Sequence, residues 1–187
     1  MNKKIENFIN GEFKNSKNDS ISVWNPQEGK IFTEVVNSSL KELDKAVASA
    51  KNAYNNWASY TLKERVEFFF EFRNQLKNNI DSLSDSICQE NGKTFDEAKA
   101  EVLKGIELTE FACSMPQIIH DEIQEVSRGV ECRSSHVPVG IVSSITPFNF
   151  PIMVPLWTIP NALVLGNCMI LKPSEQTPVG ASRIAEL

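Results

Sequence analysis

The chain has 187 residues, 41% of them hydrophobic and 23% charged, with a formal net charge of −5. This balance excludes a wholly disordered, collagen-like or disulfide-scaffold chain, and the acidity leaves no general electrostatic footprint for nucleic acid or an anionic membrane. About 70% of the unfolded surface can be buried at this length, so one core of ordinary size is expected.

Met1 to Asn10 has no apolar h-region, so no signal peptide is expected. Cys88, Cys113, Cys132 and Cys168 form no CxxC pair, and His120 and His136 are the only histidines. A zinc site is therefore not expected, and the sparse thiols fit a reducing cytoplasm. Ser22–Trp24 and Ile31–Val36 flank Asn25-Pro-Gln-Glu-Gly29, which predicts a hairpin. Three capping boxes follow, Ser39-Leu-Lys-Glu42, Thr61-Leu-Lys-Glu64 and Thr94-Phe-Asp-Glu97, each opening a helix. Their predicted core stripes are Leu43, Val47, Ala50, Tyr54 and Trp57; then Val66, Phe69, Phe70 and Leu76; then Ala98, Val102, Ile106 and Phe111. A further helix is expected from Ile80 to Gln89, stopping at Asn91-Gly92, and the helix from Phe95 should end near Pro116. Ile123–Val126 and Val130–Val137 around Ser127-Arg-Gly129 predict a second, polar hairpin.

All but four of the acidic and basic residues lie at or before Arg133, and the 38 residues from Ser134 to Leu171 carry no charge with His136 neutral. A membrane span needs about 20 consecutive, mostly apolar residues. Pro138, Pro147, Pro151, Pro155 and Pro160, with Asn149, Asn161 and Asn167, argue against one. The stretch reads instead as a buried strand (Gly140–Thr146), a buried helix (Pro151–Leu165, ended by Gly166) and a second buried strand (Cys168–Leu171). Pro178 opens a last helix. This is a βαβ unit, the start of a Rossmann-type parallel α/β sheet. A βαβαβ half needs three strands, so the chain looks cut off after its first βαβ unit.

The eight glycines never form GxG, so the G-x-G-x-x-G phosphate loop is missing. The loop Ile145-Thr-Pro-Phe-Asn-Phe-Pro151 nevertheless stands at the carboxyl end of a strand, where open α/β sheets bind ligands. Asn149, read as buried, is open to two uses: an amide aimed at an oxyanion, or a turn amide bonding its own backbone. Lys172 and Glu175 bring the first charges after the neutral stretch, at the second strand's carboxyl end. They suit ribose or phosphate oxygens, or else a solvated loop. Cys168 is the tempting nucleophile, but a buried free thiol reads first as packing, and the other three cysteines read the same way. His120 and His136 read as surface or hairpin residues.

Taken together, these residues resemble the aldehyde dehydrogenase superfamily. Pro147-Phe-Asn-Phe-Pro151 is similar to its P-[WF]-N-F-P motif, Ile170-Leu-Lys-Pro-Ser-Glu175 to its L-K-P-[SA]-E motif, and Glu90-Asn-Gly-Lys93 to its E-x-G-K segment. Met153-Val-Pro-Leu-Trp157 with Phe148, and the opening Asn7-Phe-Ile-Asn-Gly-Glu12, resemble the methylmalonate/malonate-semialdehyde branch, which acylates coenzyme A. The resemblance covers the whole chain. It implies the N-terminal portion of a nucleotide-binding domain: strands and helices over 1–121, an oligomerisation-type hairpin over 122–138, and the start of the parallel core over 139–187. It implies Asn149 as oxyanion donor, Thr146 and Phe148 lining the nicotinamide-nucleotide site, and Lys172 and Glu175 on the adenosine ribose with Gln176 beside them. It implies NAD as cofactor, coenzyme A as acyl acceptor, a small aldehyde as substrate and a homodimer or homotetramer. Lys104 stands where the branch usually has an Arg for the substrate carboxylate, and Gln176 where it often has a basic residue. The family's nucleophilic Cys, general-base Glu and later nucleotide loop match no residue here. The alternatives are a non-catalytic fragment acting at most as an interaction module, and a related dehydrogenase that does not use coenzyme A.

Overall fold

The computed structural model describes residues 4–187. Met1 to Lys3, part of the segment read above for a leader, lie outside the described residues. β1 (Asn7–Ile9) and β2 (Glu12–Lys14) form a small hairpin on Asn10-Gly11. It is missing from the sequence reading because three-residue strands are too short to show alternation. β3 (Ser20–Asn25) and β4 (Lys30–Val36) pair antiparallel at the predicted place. Their turn is built by Asn25, whose Oδ1 accepts the Gln27 and Glu28 N–H groups at 2.9 and 3.2 Å.

The capping boxes start α1 (Leu40–Ser59), α2 (Leu62–Asn78) and α4 (Phe95–Cys113) as expected. Glu42, Glu64 and Glu97 accept the N–H of Ser39, Thr61 and Thr94 at 2.8, 2.7 and 3.0 Å. Between them α3 (Ile80–Asn91) runs two residues past Gln89. It stops at Gly92, whose φ of +83° only glycine adopts freely. α4 ends at Cys113, near Pro116 as expected, but the proline itself is not its stop. It sits in the first turn of a short helix, α5 (Met115–Ile118), where a missing N–H costs nothing.

β5 (Glu122–Ser127) and β6 (Val130–Ser134) make the second hairpin, exposed at every residue and shorter than the reading to Val137. Then come β7 (Ile141–Ile145), α6 (Met153–Val164), β8 (Cys168–Lys172) and α7 (Val179–Glu186). β7 and β8 are parallel, in register from Ile141↔Cys168 to Ile145↔Lys172. The α/β class and the βαβ unit are therefore as read.

Three expectations about burial are corrected. β7 and β8 are not fully buried: only Ser144 and Cys168 are, and Ile145 is 79% exposed. A two-stranded sheet has no third strand to cover it, and the described residues supply none. Phe70 and Phe111 point outward, although Val66, Phe69, Leu76, Ala98, Val102 and Ile106 are buried as predicted. In α1 the whole stripe is only partly covered, because the helix lies over β7 and β8 at the rim of the molecule.

The centre is where α3, α4, α6 and α7 meet, around Leu83, Ile87, Val102, Leu156 and Ile184. α4 and α6 approach through Gly105, where an added Cβ would clash with Leu156 Cδ1. A second cluster, with Val66, Phe69 and Val164, joins α2 to the end of α6. No helix among the described residues is long and apolar enough to cross a membrane.

Candidate active site

The parallel register sets the carboxyl ends of β7 and β8 side by side, and the Thr146 N–H donates to the Lys172 carbonyl at 3.1 Å. Two loops leave this edge. The first, Thr146 to Ile152, carries Phe148 and Asn149. The second, Pro173 to Pro178, carries Glu175 and Gln176. Thr177 Oγ1 ties them by donating to the Phe148 carbonyl at 3.5 Å.

The structure thus brings together six of the residues singled out from sequence, with differing exposure. Thr146 is buried; Phe148, Lys172, Glu175 and Gln176 are exposed. Asn149 corrects the sequence reading: it is exposed, not buried, and its side chain makes no hydrogen bond among the described residues. It is therefore not a turn amide bonded to its own backbone. The prolines that flank the motif and the bonds described below hold its backbone, which leaves the amide facing outward.

Lys172 Nζ pairs with Glu175 Oε2 at 2.9 Å across one turn of the loop. The Glu175 backbone N–H, and then Lys172, hold its carboxyl below the ordinary carboxylate range. The edge thus offers an ionised acceptor beside an ammonium donor. Lys104 is elsewhere, on the exposed side of α4, paired with Glu107. No hydrogen bond or ion pair among the described residues joins it to either loop.

Three residues that hold this edge, and a fourth at the far end of α6, escaped the sequence reading of roles. Glu101, on α4, is buried, and its Oε1 accepts the Ile152 and Met153 N–H groups at 2.9 and 3.1 Å, capping the start of α6. Lys93 Nζ donates to Glu101 Oε2 at 2.6 Å and to the Asn149 carbonyl at 2.8 Å. Glu90, at the end of α3, does for α7 what Glu101 does for α6: it accepts the Val179 and Gly180 N–H groups at 2.6 and 2.9 Å. Burial pushes its carboxyl up to about 7, despite these donors. Buried Arg65, on α2, donates through Nε to the Val164 carbonyl at 2.7 Å, at the other end of α6. The uncharged α6 therefore has an anion at its amino end and a cation at its carboxyl end, each matching the helix dipole. One signal was present for the acids. Glu90 and Glu101 fall on the apolar stripes of their helices, beside Ile87 and Val102, where a charge needs a buried partner.

Burial pushes the thiols of Cys88, Cys113 and Cys168 above their ordinary value. Cys132 lies on the exposed hairpin. None stands at the loop edge with a base beside it. His120 and His136 are exposed, as read.

Comparison with known proteins places this geometry. Residues 13–187 match the aldehyde dehydrogenase family. The malonate-semialdehyde dehydrogenase of Lacticaseibacillus casei is 39% identical over 187 residues, which are 99% of this chain and 38% of that protein. The crystal structure of methylmalonate-semialdehyde dehydrogenase from Oceanimonas doudoroffii superposes with a TM-score of 0.96 at 36% identity, covering 98% of this chain and 38% of that one. A protein of Sinorhizobium meliloti 1021 assigned as a methylmalonate-semialdehyde dehydrogenase, crystallised with NAD, gives 0.95 at 36% identity with the same coverage. The chain thus spans about 38% of the length of these relatives, and its α/β fold matches the N-terminal part of aldehyde dehydrogenase structures. On its motifs, its fold and its match over residues 13–187, the chain belongs to the aldehyde dehydrogenase family.

Proposed function

We propose that these residues form the oxyanion donor and part of the dinucleotide site of an NAD-dependent semialdehyde dehydrogenase, acting on malonate or methylmalonate semialdehyde and passing the acyl group to coenzyme A. The observation that carries this is the joint placement, at one strand edge, of an Asn149 amide with no hydrogen bond among the described residues and the Lys172–Glu175 pair. The relatives' names support the substrate class, and the NAD bound to one neighbour supports the cofactor.

The residues present fit a dinucleotide. An ionised carboxylate and an ammonium, both exposed, can meet ribose hydroxyls at the carboxyl end of a parallel strand. NAD, when bound, supplies the hydride acceptor. Phe148 and Thr146 give that edge an apolar wall and a short polar side chain. Asn149 Nδ2 donates to the oxygen that gains negative charge when a thiolate, from outside these residues, adds to the aldehyde carbon. Loss of a hydride to a bound nicotinamide would restore the carbonyl as an enzyme thioester, and coenzyme A would then take the acyl group and release the enzyme thiolate. Lys104 is the proposed partner of the substrate carboxylate. An ammonium keeps the charge but offers no planar two-point fork, which leaves selectivity for a carboxylate weaker than an arginine would give. The exposed β5–β6 hairpin, with Ile123, Val126 and Val130 more than half exposed, is proposed as the arm of a homo-oligomer over 122–138, between the segments 1–121 and 139–187.

Two tests follow. Glu175 accepts from both ribose hydroxyls in NAD but meets a phosphate in NADP, so the full-length enzyme should prefer NAD by roughly 10–100-fold, the screened remnant of one close charge repulsion. The comparison is kcat/KM for both cofactors in wild type and Glu175→Gln. Equal use of both by wild type, or an unchanged preference in the variant, removes Glu175 from this role. Because no thiol here has an activated setting, the 187-residue chain alone should reduce no NAD with either semialdehyde, with or without coenzyme A. Turnover that disappears in Cys168→Ser would show the thiol assignment to be wrong.

A further inference from the structure

We infer that Lys93 is a positioning residue for Asn149, holding the peptide that aims the amide at the reacting oxygen. This rests on the oxyanion role proposed above. Lys93 directly follows the glycine that ends α3, so its Cα is placed by a helix terminus and not by a free loop. Its ammonium meets three groups: Glu101 Oε2 at 2.6 Å, the Asn149 carbonyl at 2.8 Å and the Phe150 ring, whose centroid is 4.0 Å away. The Glu101 side chain is only 1% exposed and is itself fixed by the two amides at the start of α6.

A chain of constraints therefore runs from α4 to the active-site loop. α4 fixes Glu101, Glu101 fixes the ammonium, and the ammonium fixes the carbonyl of the residue whose side chain does the work. One position earlier, Asn91 Nδ2 donates to the Phe148 carbonyl at 2.9 Å, so two successive peptides are pinned from the same short segment. The Asn149 side chain has no hydrogen bond of its own among the described residues. Its direction is therefore set by the backbone, and the backbone by Lys93. An oxyanion donor works only at about 2.7–3.1 Å from the developing charge, so a small rotation of this peptide is costly.

The test is steady-state kinetics of the full-length dehydrogenase that carries these residues. Lys93→Met should lower kcat about 10–100-fold, the effect of misplacing a catalytic group by roughly an ångström, with KM for aldehyde and NAD nearly unchanged. Lys93→Arg should recover most of the loss, because a guanidinium can still donate to both oxygens. If Lys93 acts through Asn149, the double variant Lys93→Met/Asn149→Ala should be no slower than Asn149→Ala alone. A Lys93→Met enzyme as fast as wild type, or a double variant that loses the product of the two single effects, overturns the positioning role while leaving the oxyanion role intact. An Asn149→Ala enzyme with undiminished kcat overturns the oxyanion role, and the positioning role with it.

Discussion

In the full-length enzyme, Asn149→Ala should lower kcat by about 10²–10³, the usual effect of removing one oxyanion donor. The expectation comes from what the amide lacks. A side chain whose only duty is local would bond its own turn, whereas this one has no hydrogen bond among the described residues, though its backbone is bonded from α3 and α4. In the proposed role the amide donor stays free until charge develops on a substrate. NAD affinity should change little, since the amide makes none of the proposed ribose contacts. The measurement is kcat in steady state beside the NAD dissociation constant from fluorescence titration. A preserved kcat with weakened NAD binding would make Asn149 a cofactor residue instead.

The second large effect is on stability. Between about pH 4.5 and 7 the folded state should lose about 3 kcal/mol through Glu90 alone. Burial raises its carboxyl from 4.5 to about 7 in the fold, so the native state binds a proton more tightly than the unfolded chain does. The resulting stabilisation is complete below the unfolded value and is lost as the pH climbs through the folded one. Glu42, Glu64, Glu97 and Glu175 are shifted the other way, so their contributions are lost only as the pH falls below the ordinary carboxylate range. Between the two windows the curve should peak near pH 5. Urea unfolding of wild type and Glu90→Gln across this range separates the cause. The neutral amide should flatten the decline above the peak. A decline of equal size in Glu90→Gln would assign it to another group.

What was legible in the sequence follows the reach of the interactions. The capping boxes at Ser39, Thr61 and Thr94 could be read because a side chain three residues away closes them. The turn at Asn25 and the stop at Gly92 are equally local. The βαβ unit could be read because an uncharged, proline-punctuated run leaves few other solutions, and the motif loops lie at its strand ends. The side chains that hold those loops and both ends of α6 join residues far apart in the chain. Glu101 meets Ile152 across 51 positions, Glu90 meets Gly180 across 90, and Arg65 meets Val164 across 99. No periodicity encodes such a pairing. A charge on an apolar stripe shows only that a partner is needed. Exposure failed to be legible for a related reason. Asn149, Ile145, Phe70 and Phe111 look apolar or enclosed in their local sequence, but burial depends on whether another element arrives to cover them.

The proposed NAD-dependent oxidation of a carboxylated short aldehyde to a coenzyme A thioester can be checked by incubating the full-length enzyme with malonate semialdehyde and NAD, with and without coenzyme A, and identifying the products by mass spectrometry. The expected products are NADH and an acyl-coenzyme A in equal amounts, with NADP a poor substitute. Free acid as the sole product despite saturating coenzyme A, or no NADH from any short semialdehyde, would contradict it.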